Sequence, residues 1–471
     1  MSKKIILLGV DGATWKIIAP IIAAGGLQNF KKLLADGTSS ILHSTIPAES
    51  PPAWTSMFTG VNPGKHGIVD FQFKENGKFV PCLSRYRMAP TIWKIISDSG
   101  RRCIIINDPI GYPPETINGI MTSGLMTPPG ANDWITPNDR KQEFDTVARG
   151  YECDIPTNFA SVLSENRDAA LDILKRLTSK IIRVATYAAY QLDWDILAII
   201  ITVTDRLQHF WWNDKQKIAE LYERIDQLLG QLIQRANELS ADLIIVSDHG
   251  FGPCDKLISI NGTLEKLGFA IRTESRLSKM FNEIGITKDR FRKLMGSWPS
   301  TFTALPNFMQ NAILKYVPES GQNIKGLDQS KSQAFARTPV GIFIRDQNSK
   351  EIIAKKLSEL TDETTGKLVI EKVLDRDEVL HGDYSYRAPD LFLEPRPGYG
   401  FSIDKTGSVE RGLVGTHRPE GIFIFYRPKA TPHSLPNVPI HPWDVAATLL
   451  QLLNIPVPPH FDGRPIINET Q

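Results

Sequence analysis

Six acidic and histidine side chains stand next to apolar runs of the sequence. They are Asp11, Asp205, His209, Asp248, His249 and His417. Each one alone has an ordinary structural explanation, such as a helix cap or a buried turn. Together, carboxylates and neutral imidazoles form a ligand set that suits zinc or manganese, whereas magnesium prefers oxygen ligands alone. The set therefore predicts two divalent metal ions, provided that a further group completes a ligand shell.

Ser50 can be that further group. It precedes Pro51 and Pro52 at the start of a helical segment, 50–59, and proline is favoured in the first turn of a helix. The pattern predicts Ser50 at the N-cap, where backbone amides and the helix dipole attract an anion. Metal coordination activates a serine hydroxyl as a nucleophile. We therefore expect Ser50 to attack a bound phosphate; the alternative is a serine that only caps the helix.

Alternating helix and strand patterns must position these side chains. Near-continuous apolar runs at 4–10, 196–203 and 241–250 are typical of buried parallel strands. Long helical patterns at 167–192 and 216–239 precede the second and third of these runs. This alternation predicts an α/β fold with a mostly parallel sheet covered by helices on both faces. In such sheets, functional groups gather at the C-terminal ends of the strands.

The regular alternation fails between about 263 and 335, where basic helical pieces and proline-containing loops occur. We interpret this stretch as a helical insertion or cap. The predicted organisation is a core domain that begins at 1–262, is interrupted by the insertion at 263–335, and resumes at 336–471. Strand patterns within the last segment support its return to the core.

The composition limits the partners. The 54 basic and 52 acidic side chains give a net charge of +2, which favours neither a nucleic-acid polymer nor a membrane surface as partner. Four scattered cysteines without a CxxC pair are typical of a reducing compartment. The first apolar run ends at Asp11 and is too short for a signal peptide. We expect a cytoplasmic protein that acts on a small phosphate ester; the pattern does not indicate an oligomeric state.

A series of motifs, in order along nearly the whole chain, resembles the alkaline phosphatase superfamily, specifically its type I phosphodiesterase/nucleotide pyrophosphatase branch. The motifs are VDGATW, SPPAWTSMFTGVNPGKHGI, TDRLQH, VSDHGFGP, GTHRPEG and WDVAATLLQLLNIPVPPHFDGRPI. The family pattern TG-x-x-P-x-x-HGI matches Thr59, Gly60, Pro63 and 66–68. Counting back nine residues from Thr59 puts Ser50 where the family has its threonine or serine nucleophile.

The resemblance implies an alkaline-phosphatase-like three-layer α/β/α fold and a two-metal phosphohydrolase. One ion would be held by Asp205, His209 and His417. The other would be held by Asp11, Asp248 and His249, with Ser50 as a further ligand and nucleophile. The implied reaction is in-line attack of Ser50 on phosphorus, followed by hydrolysis of a phosphoserine intermediate by water.

The chain also departs from the family pattern. Many nucleotide pyrophosphatases have an asparagine shortly after HGI that contacts the phosphate, whereas this chain has Asp70 and Phe71. His66 in the same motif is interpreted as a structural turn histidine. Three basic residues adjoin the motifs and could neutralise a phosphate, namely Lys65, Arg206 and Arg418.

Other functions remain open on the sequence alone. A cofactor-independent phosphomutase would share both metals and a serine, and would transfer the phosphate rather than release it. A sulfatase is disfavoured because Trp54 replaces the arginine of the C/S-x-P-x-R signal. A non-catalytic metal-binding protein would be expected to lack a ligand, yet all seven positions are filled. A Rossmann-type nucleotide module is disfavoured because no G-x-G-x-x-G follows the first apolar run.

Overall fold

The computed structural model describes residues 3–75, 77–272, 327–403, 412–432, 435 and 437–467. The chain forms two compact units. The first contains residues 1–256, 375–388 and 408–471, and the second contains residues 257–374 and 389–407. Of the predicted insertion, residues 273–326 lie outside the described residues, so its helical character stays a prediction.

Seventeen strands are found among the described residues. In chain order they are β1 (Ile5–Val10), β2 (Thr38–His43), β3 (Gln72–Glu75), β4 (Lys78–Pro81), β5 (Cys103–Asp108), β6 (Gly119–Ser123), β7 (Ile135–Thr136), β8 (Ile196–Ile201), β9 (Asp242–Val246), β10 (Gly250–Ser259), β11 (Ala334–Thr338), β12 (Gly341–Ile344), β13 (Ile370–Asp375), β14 (Leu391–Pro395), β15 (Gly398–Ser402), β16 (Gly415–Arg418) and β17 (Glu420–Tyr426).

Fourteen α-helices are found in the same part of the chain. They are α1 (Trp15–Ala23), α2 (Gln28–Asp36), α3 (Ser50–Thr59), α4 (Pro63–His66), α5 (Ile92–Asp98), α6 (Lys141–Ala148), α7 (Phe159–Glu165), α8 (Arg167–Gln191), α9 (Val203–Trp211), α10 (Lys215–Leu239), α11 (Ile260–Lys266), α12 (Lys350–Ser358), α13 (Arg376–Val379) and α14 (Pro442–Leu452). No described helix is both long enough and apolar enough to cross a membrane.

An eight-stranded sheet forms the centre of the first unit, in the order β2-β17-β9-β1-β8-β5-β6-β7. The five strands from β9 to β6 run parallel, while β17 is antiparallel to β9 and β2, and β7 is antiparallel to β6. The mostly parallel sheet predicted from the sequence is therefore confirmed. β1 lies at its centre, between β8 and β9.

Alternate residues of the central strands pack against opposite layers of helices. Ile6 and Leu8 of β1 belong to the core shared with α2, α8 and α10. Ile5 and Leu7 belong to the core shared with α3, α5 and α14. A strand that is buried on both faces needs apolar side chains at every position, which explains its near-continuous apolar run. The two cores and the sheet between them make three layers, α/β/α.

Local signals set the bounds of the long helices. The Asn166 side chain accepts hydrogen bonds from Asp168 N and Ala169 N at the start of α8. The Asp214 side chain accepts one from Lys217 N at the start of α10. These caps satisfy amides that have no partner within the helix. Helix α1 ends at Ala23, ahead of the Gly25-Gly26 pair, and Pro20 lies inside it.

The second unit has its own sheet and core. Four strands lie in the order β11-β12-β14-β13, and β12 is antiparallel to both of its neighbours. Ile342 of β12 packs in one apolar cluster with residues of α11 and α12. The sequence assigned 336–471 as a whole to the core domain, whereas part of it, including β12 and β14, belongs to this second sheet. Apolar alternation indicates a strand but does not identify its partners.

A close contact between β1 and α3 joins the sheet to the helix that begins with Ser50. A Cβ built on Gly9 would lie 2.6 Å from Trp54 Cη2. Only glycine therefore lets the Trp54 ring lie directly on the strand. Trp54 is fully buried, and its Nε1 donates a hydrogen bond of 3.0 Å to Asp11 Oδ2. The contact thus positions both a helix and a site carboxylate.

Gly9→Ala is expected to lower the free energy of unfolding by about 1–3 kcal/mol, because the added methyl group overpacks the Trp54 ring. Urea unfolding measures the change. Trp54→Phe removes the part of the ring that would clash, so it should relieve the added strain. The double variant is therefore expected to be less destabilised than the two single changes predict together. Strict additivity would contradict this explanation.

Candidate active site

Three adjacent strands of the central sheet deliver the acidic residues of the site. Asp11 follows β1, Asp205 lies in the first turn of α9 after β8, and Asp248 follows β9. Because β8 and β9 flank β1 in parallel, with Val10 aligned to Ile201, their C-terminal ends meet at one edge. All three carboxylates are buried, with no more than 7% of any residue exposed.

A pair of short strands brings the last histidine to the same edge. β10 begins directly after His249 and pairs antiparallel with β16, so that Phe251 lies opposite His417. His209 lies one helical turn after Asp205 on α9. The structure therefore brings together all seven residues singled out from the sequence, although His417 is more than 160 positions from the nearest of the others in the chain.

The first ligand set consists of Asp205, His209 and His417. His417 Nε2 lies 2.9 Å from Asp205 Oδ1 and 3.1 Å from His209 Nε2. His209 Nε2 lies 3.3 Å from Asp205 Oδ1. Each residue thus points one potential ligand atom at a common point.

The second set consists of Asp11, Asp248, His249 and Ser50. His249 Nε2 lies 3.3 Å from Asp248 Oδ2 and 3.6 Å from Asp11 Oδ1. Ser50 Oγ lies 3.3 Å from His249 Nε2 and 3.4 Å from Asp11 Oδ1. His249 also belongs to a group with Asp205 and His417 whose ligand atoms all lie within 4.8 Å of one another, so the two sets adjoin.

These separations fit metal coordination. Ligand atoms about 2.0–2.1 Å from a tetrahedral zinc ion lie about 3.3 Å from one another. Two nitrogen atoms such as His209 Nε2 and His417 Nε2 could share a hydrogen bond only if one of them carried a proton. Asp248 also indicates a cation site, because its buried Oδ2 has no hydrogen-bond partner in the described part of the chain. Its Oδ1 accepts a hydrogen bond from Gly12 N at 3.0 Å. The donor set therefore fits two divalent ions.

Each histidine is oriented by a backbone carbonyl at its other ring nitrogen. His209 Nδ1 lies 3.0 Å from Gly415 O, and His249 Nδ1 lies 3.1 Å from Gly250 O. His417 Nδ1 lies 3.0 Å from Ala48 O and 3.3 Å from Glu49 Oε2. A carbonyl oxygen can only accept, so each Nδ1 carries the proton and donates it. Each Nε2 therefore faces the cluster. Although burial opposes it, Glu49 and Asp205 raise the pKa of His417 well above its usual value, so a metal ion would replace a proton at this Nε2.

The electrostatics of the cluster favour a bound cation. Burial, together with the carboxylates of Asp248 and Asp205, raises the pKa of Asp11 well above its usual value. Burial raises the pKa of Asp248 to about 7. Burial also acts on Asp205, but the neighbouring His209 and His417 hold its pKa well below its usual value. Burial lowers the pKa of His249, which keeps its imidazole neutral. Neutral imidazoles and closely spaced carboxylates bind metal most readily.

Ser50 does not occupy the exact helix position predicted for it. The N-cap of α3 is Glu49, and Ser50 is the first helical residue. Pro51 and Pro52 have no N–H, and Ala53 N donates to Glu49 O at 3.1 Å. The start of α3 therefore offers fewer amides to an anion than the sequence suggested, since among its first three residues only Ser50 has an N–H.

The other hydroxyl groups of α3 are engaged elsewhere. Thr55 Oγ1 donates to Pro51 O, and Thr59 Oγ1 donates to Thr55 O, each at 2.7 Å. Ser56 Oγ lies 2.9 Å from His66 Nε2. His66 Nδ1 accepts from Ile68 N, and burial followed by the effect of Arg87 lowers the pKa of His66 to about 3. His66 is thus a neutral histidine that supports a turn, as the sequence indicated.

Several residues around the ligands were not singled out from the sequence. Glu49 faces His417, Trp54 holds Asp11, and Gly12 donates to Asp248. Gly12 has a φ of +67°, and a Cβ there would lie 2.8 Å from Gln208 Nε2. The Asp-Gly pair after β1 was a usable signal for this glycine, because glycine is favoured at positive φ. The partners of Glu49 and Trp54 depend on tertiary packing that a single sequence does not reveal.

Solved structures with a similar fold span nearly the whole chain. Phosphonoacetate hydrolase from Sinorhizobium meliloti 1021, in complex with phosphonoformate, has a TM-score of 0.61 and 16% identity, with 96% of this chain and 95% of that chain covered. An inactive variant of murine ectonucleotide pyrophosphatase/phosphodiesterase 5, in complex with AMP, has a TM-score of 0.56 and 14% identity, with 97% and 96% covered. At these identities the likeness shows the fold alone.

The human ectonucleotide pyrophosphatase/phosphodiesterase 5 has a TM-score of 0.55 and 15% identity, with 98% of this chain and 97% of that chain covered. No curated protein sequence matches the chain significantly. The family model for type I phosphodiesterase/nucleotide pyrophosphatase matches residues 5–420, a span that contains every ligand described above. The chain therefore belongs to the type I phosphodiesterase/nucleotide pyrophosphatase family of phosphohydrolases.

Proposed function

We propose that this protein is a phosphodiesterase that depends on two divalent metal ions, zinc or manganese, and uses Ser50 as its nucleophile. The observation that carries the proposal is the position of Ser50 Oγ, 3.4 Å from Asp11 Oδ1 and 3.3 Å from His249 Nε2. At this distance the hydroxyl group would join Asp11, Asp248 and His249 around one divalent ion. The residue is 2% exposed, so little water competes with it.

Two bound divalent ions would activate the serine hydroxyl group and stabilise the charge that develops on the phosphate. Asp205, His209 and His417 would hold one ion, and Asp11, Asp248 and His249 would hold the other. Ser50 Oγ forms a bond to phosphorus while the bond from phosphorus to the leaving oxygen breaks. With a phosphodiester substrate, one alcohol leaves and Ser50 becomes esterified to the phosphate that still carries the other alcohol; water then releases a phosphate monoester and restores the serine hydroxyl group.

Three features keep Ser50 in place for attack. Its Cα belongs to α3, which packs on the sheet through Trp54. The ring of Pro51 restricts the backbone directly after it. Asp11, the nearest carboxylate, is held in turn by Trp54 Nε1. A nucleophile held in one orientation avoids much of the entropic cost of reaching the reactive geometry.

A small phosphate ester is the expected substrate class. The related structures carry phosphonoformate and AMP, both small molecules with a phosphonate or phosphate group. Bis-(p-nitrophenyl) phosphate is therefore a suitable first substrate. The proposal requires that its hydrolysis depends on zinc or manganese and stops on chelation. Phosphoryl transfer to an added acceptor without net release would instead favour the phosphomutase alternative.

Ser50→Ala is expected to lower kcat for bis-(p-nitrophenyl) phosphate by about 1,000-fold or more, because the nucleophile is removed. Ser50→Thr keeps a hydroxyl group and should retain measurable activity. Acid quenching of the wild-type reaction followed by peptide mass spectrometry should detect a p-nitrophenyl phosphate group esterified to Ser50.

Ser56→Ala is the matched control within the same helix. It removes a hydroxyl group that bonds to His66 Nε2, and it leaves all metal ligands in place. Its activity should stay within about tenfold of the wild type, with a loss of about 1 kcal/mol in stability. Full metal-dependent activity of Ser50→Ala would show that another group attacks the phosphate.

Metal removal is expected to lower stability most at neutral and alkaline pH. Burial raises the pKa of Asp248 to about 7, so the stability that this group contributes to the metal-free protein is present at low pH and lost as the pH rises towards 7. A bound cation replaces the proton. Added zinc should therefore raise Tm by several degrees at pH 8, measured by thermal unfolding with and without a chelator.

Asp248→Asn separates the charge from the shape of the side chain. Without metal, this variant is expected to unfold at a higher temperature than the wild type at pH 8, because it carries no buried charge. Zinc should stabilise it much less than it stabilises the wild type. An equal zinc-dependent rise in Tm for both proteins would contradict the assignment of Asp248 as a ligand.

A further inference from the structure

The three basic residues that adjoin the motifs, Lys65, Arg206 and Arg418, differ in the groups that they contact. Lys65 Nζ pairs with Asp462 and donates to His460 O. Arg418 donates to Pro253 O at 3.3 Å and to His417 O at 3.2 Å. Both cations are therefore directed at other partners.

Arg206 is different, because it faces the ligands. Its Nη1 lies 3.6 Å from Asp205 Oδ2, the oxygen on the opposite side of that carboxylate from the His417 contact. Its Nη2 donates to Asp154 Oδ2 at 3.3 Å. The side chain is 14% exposed. Because Asp205 belongs to the first ligand set, the guanidinium lies directly beside the carboxylates of the site.

The guanidinium of Arg206 has more N–H groups than its contacts with Asp154 and Asp205 use. It carries five N–H groups in a planar fork, a geometry that suits the oxygens of a phosphate. Its contact with Asp205 is too long for a hydrogen bond, and its contact with Asp154 is also long. An incoming phosphate oxygen can therefore be bound without breaking a strong existing bond.

The charge of the site limits the charge of its substrate. Its carboxylates are Asp11, Glu49, Asp154, Asp205 and Asp248. Five negative charges balance two divalent ions and the Arg206 guanidinium, so the site has no excess positive charge. A phosphodiester carries one negative charge, whereas a phosphomonoester carries nearly two at neutral pH. The second negative charge would enter the site uncompensated.

We propose that Arg206 binds a non-bridging oxygen of the substrate phosphate and that Asp154, by pairing with Arg206, sets a preference for singly charged phosphodiesters over doubly charged monoesters. The inference rests on the proposed function and specifies its substrate class. Arg206 acts directly on the substrate, and Asp154 is a positioning residue that acts through Arg206.

The test measures binding as well as turnover. Zinc-loaded wild-type protein, Arg206→Gln and Asp154→Asn are titrated at pH 8 with inorganic phosphate and with dimethyl phosphate in a calorimeter, and the zinc content of each is measured. Arg206→Gln should weaken the binding of inorganic phosphate by about 10- to 100-fold, the effect of a lost charge-assisted hydrogen bond. Asp154→Asn should improve the binding of inorganic phosphate relative to dimethyl phosphate by about tenfold or more.

Lys65→Gln is the matched control, because it removes one cation that the structure directs elsewhere. It should leave the ratio of the two affinities unchanged. Arg206→Lys keeps the charge but loses the fork and should bind inorganic phosphate between the wild type and Arg206→Gln. If Arg206→Gln loses zinc, the inference is judged on Asp154→Asn alone, by its ratio of the affinity for inorganic phosphate to that for dimethyl phosphate. An unchanged ratio in Asp154→Asn overturns the inference, as does unchanged binding in a zinc-loaded Arg206→Gln protein.

Turnover separates this inference from the proposed function. The Asp154→Asn variant should also shift the ratio of kcat/KM for p-nitrophenyl phosphate to that for bis-(p-nitrophenyl) phosphate towards the monoester by about tenfold. Failure of the wild type to hydrolyse either ester with zinc or manganese would reject the proposed function. Wild-type hydrolysis with an unchanged ratio in Asp154→Asn would reject only the role of Asp154 and Arg206.

Discussion

The repulsion among three buried carboxylates is the constraint on which the site depends. Asp11, Asp205 and Asp248 come from adjacent strand ends and are almost completely removed from water. Removing a charge from water is costly, and like charges at close range add to the cost. Cations nearby can offset it, and the donors around the cluster are arranged for that purpose. The Nε2 atoms of His209, His249 and His417 lie next to these carboxylates, and the guanidinium of Arg206 lies beside Asp205.

The sheet makes this concentration of charge possible. Strands β1 and β8 are apolar along their whole length, β9 is apolar after Asp242, and all three are covered on both faces, so the packed core lies directly below the cluster. Polar groups that the cluster needs come from backbone atoms at the strand ends, such as Gly12 N and the carbonyl oxygens of Gly250 and Gly415. The core thus stabilises the fold, while the edge of the sheet holds the buried carboxylates, which are unfavourable by themselves.

The sequence contained enough information for the sheet and for the candidate ligands. Apolar runs that end in Asp or His indicate both a buried strand and a polar group at its end, as at Asp11 and Asp248. Ser50 could be identified because a motif at a constant distance follows it. Other features depend on contacts that are remote in the chain. The pairing of Asp154 with Arg206 spans 52 residues, and no local pattern around Asp154 distinguishes it from an ordinary loop residue. The strands around 341–344 and 391–395 were visible as strands, but their assignment to a second sheet depends on pairing partners.

The pairing of β10 with β16 has a consequence for how the cluster forms. His417 reaches the cluster only when β16 lies beside β10 in the register that puts it opposite Phe251. A slip of one residue would turn the histidine to the other face of the ladder. Because His417 lies more than 160 positions after His249 in the sequence, the six Asp and His side chains come together only once this distant pairing has formed. The geometry of the cluster therefore depends on the register of a short strand pair as much as on the central sheet.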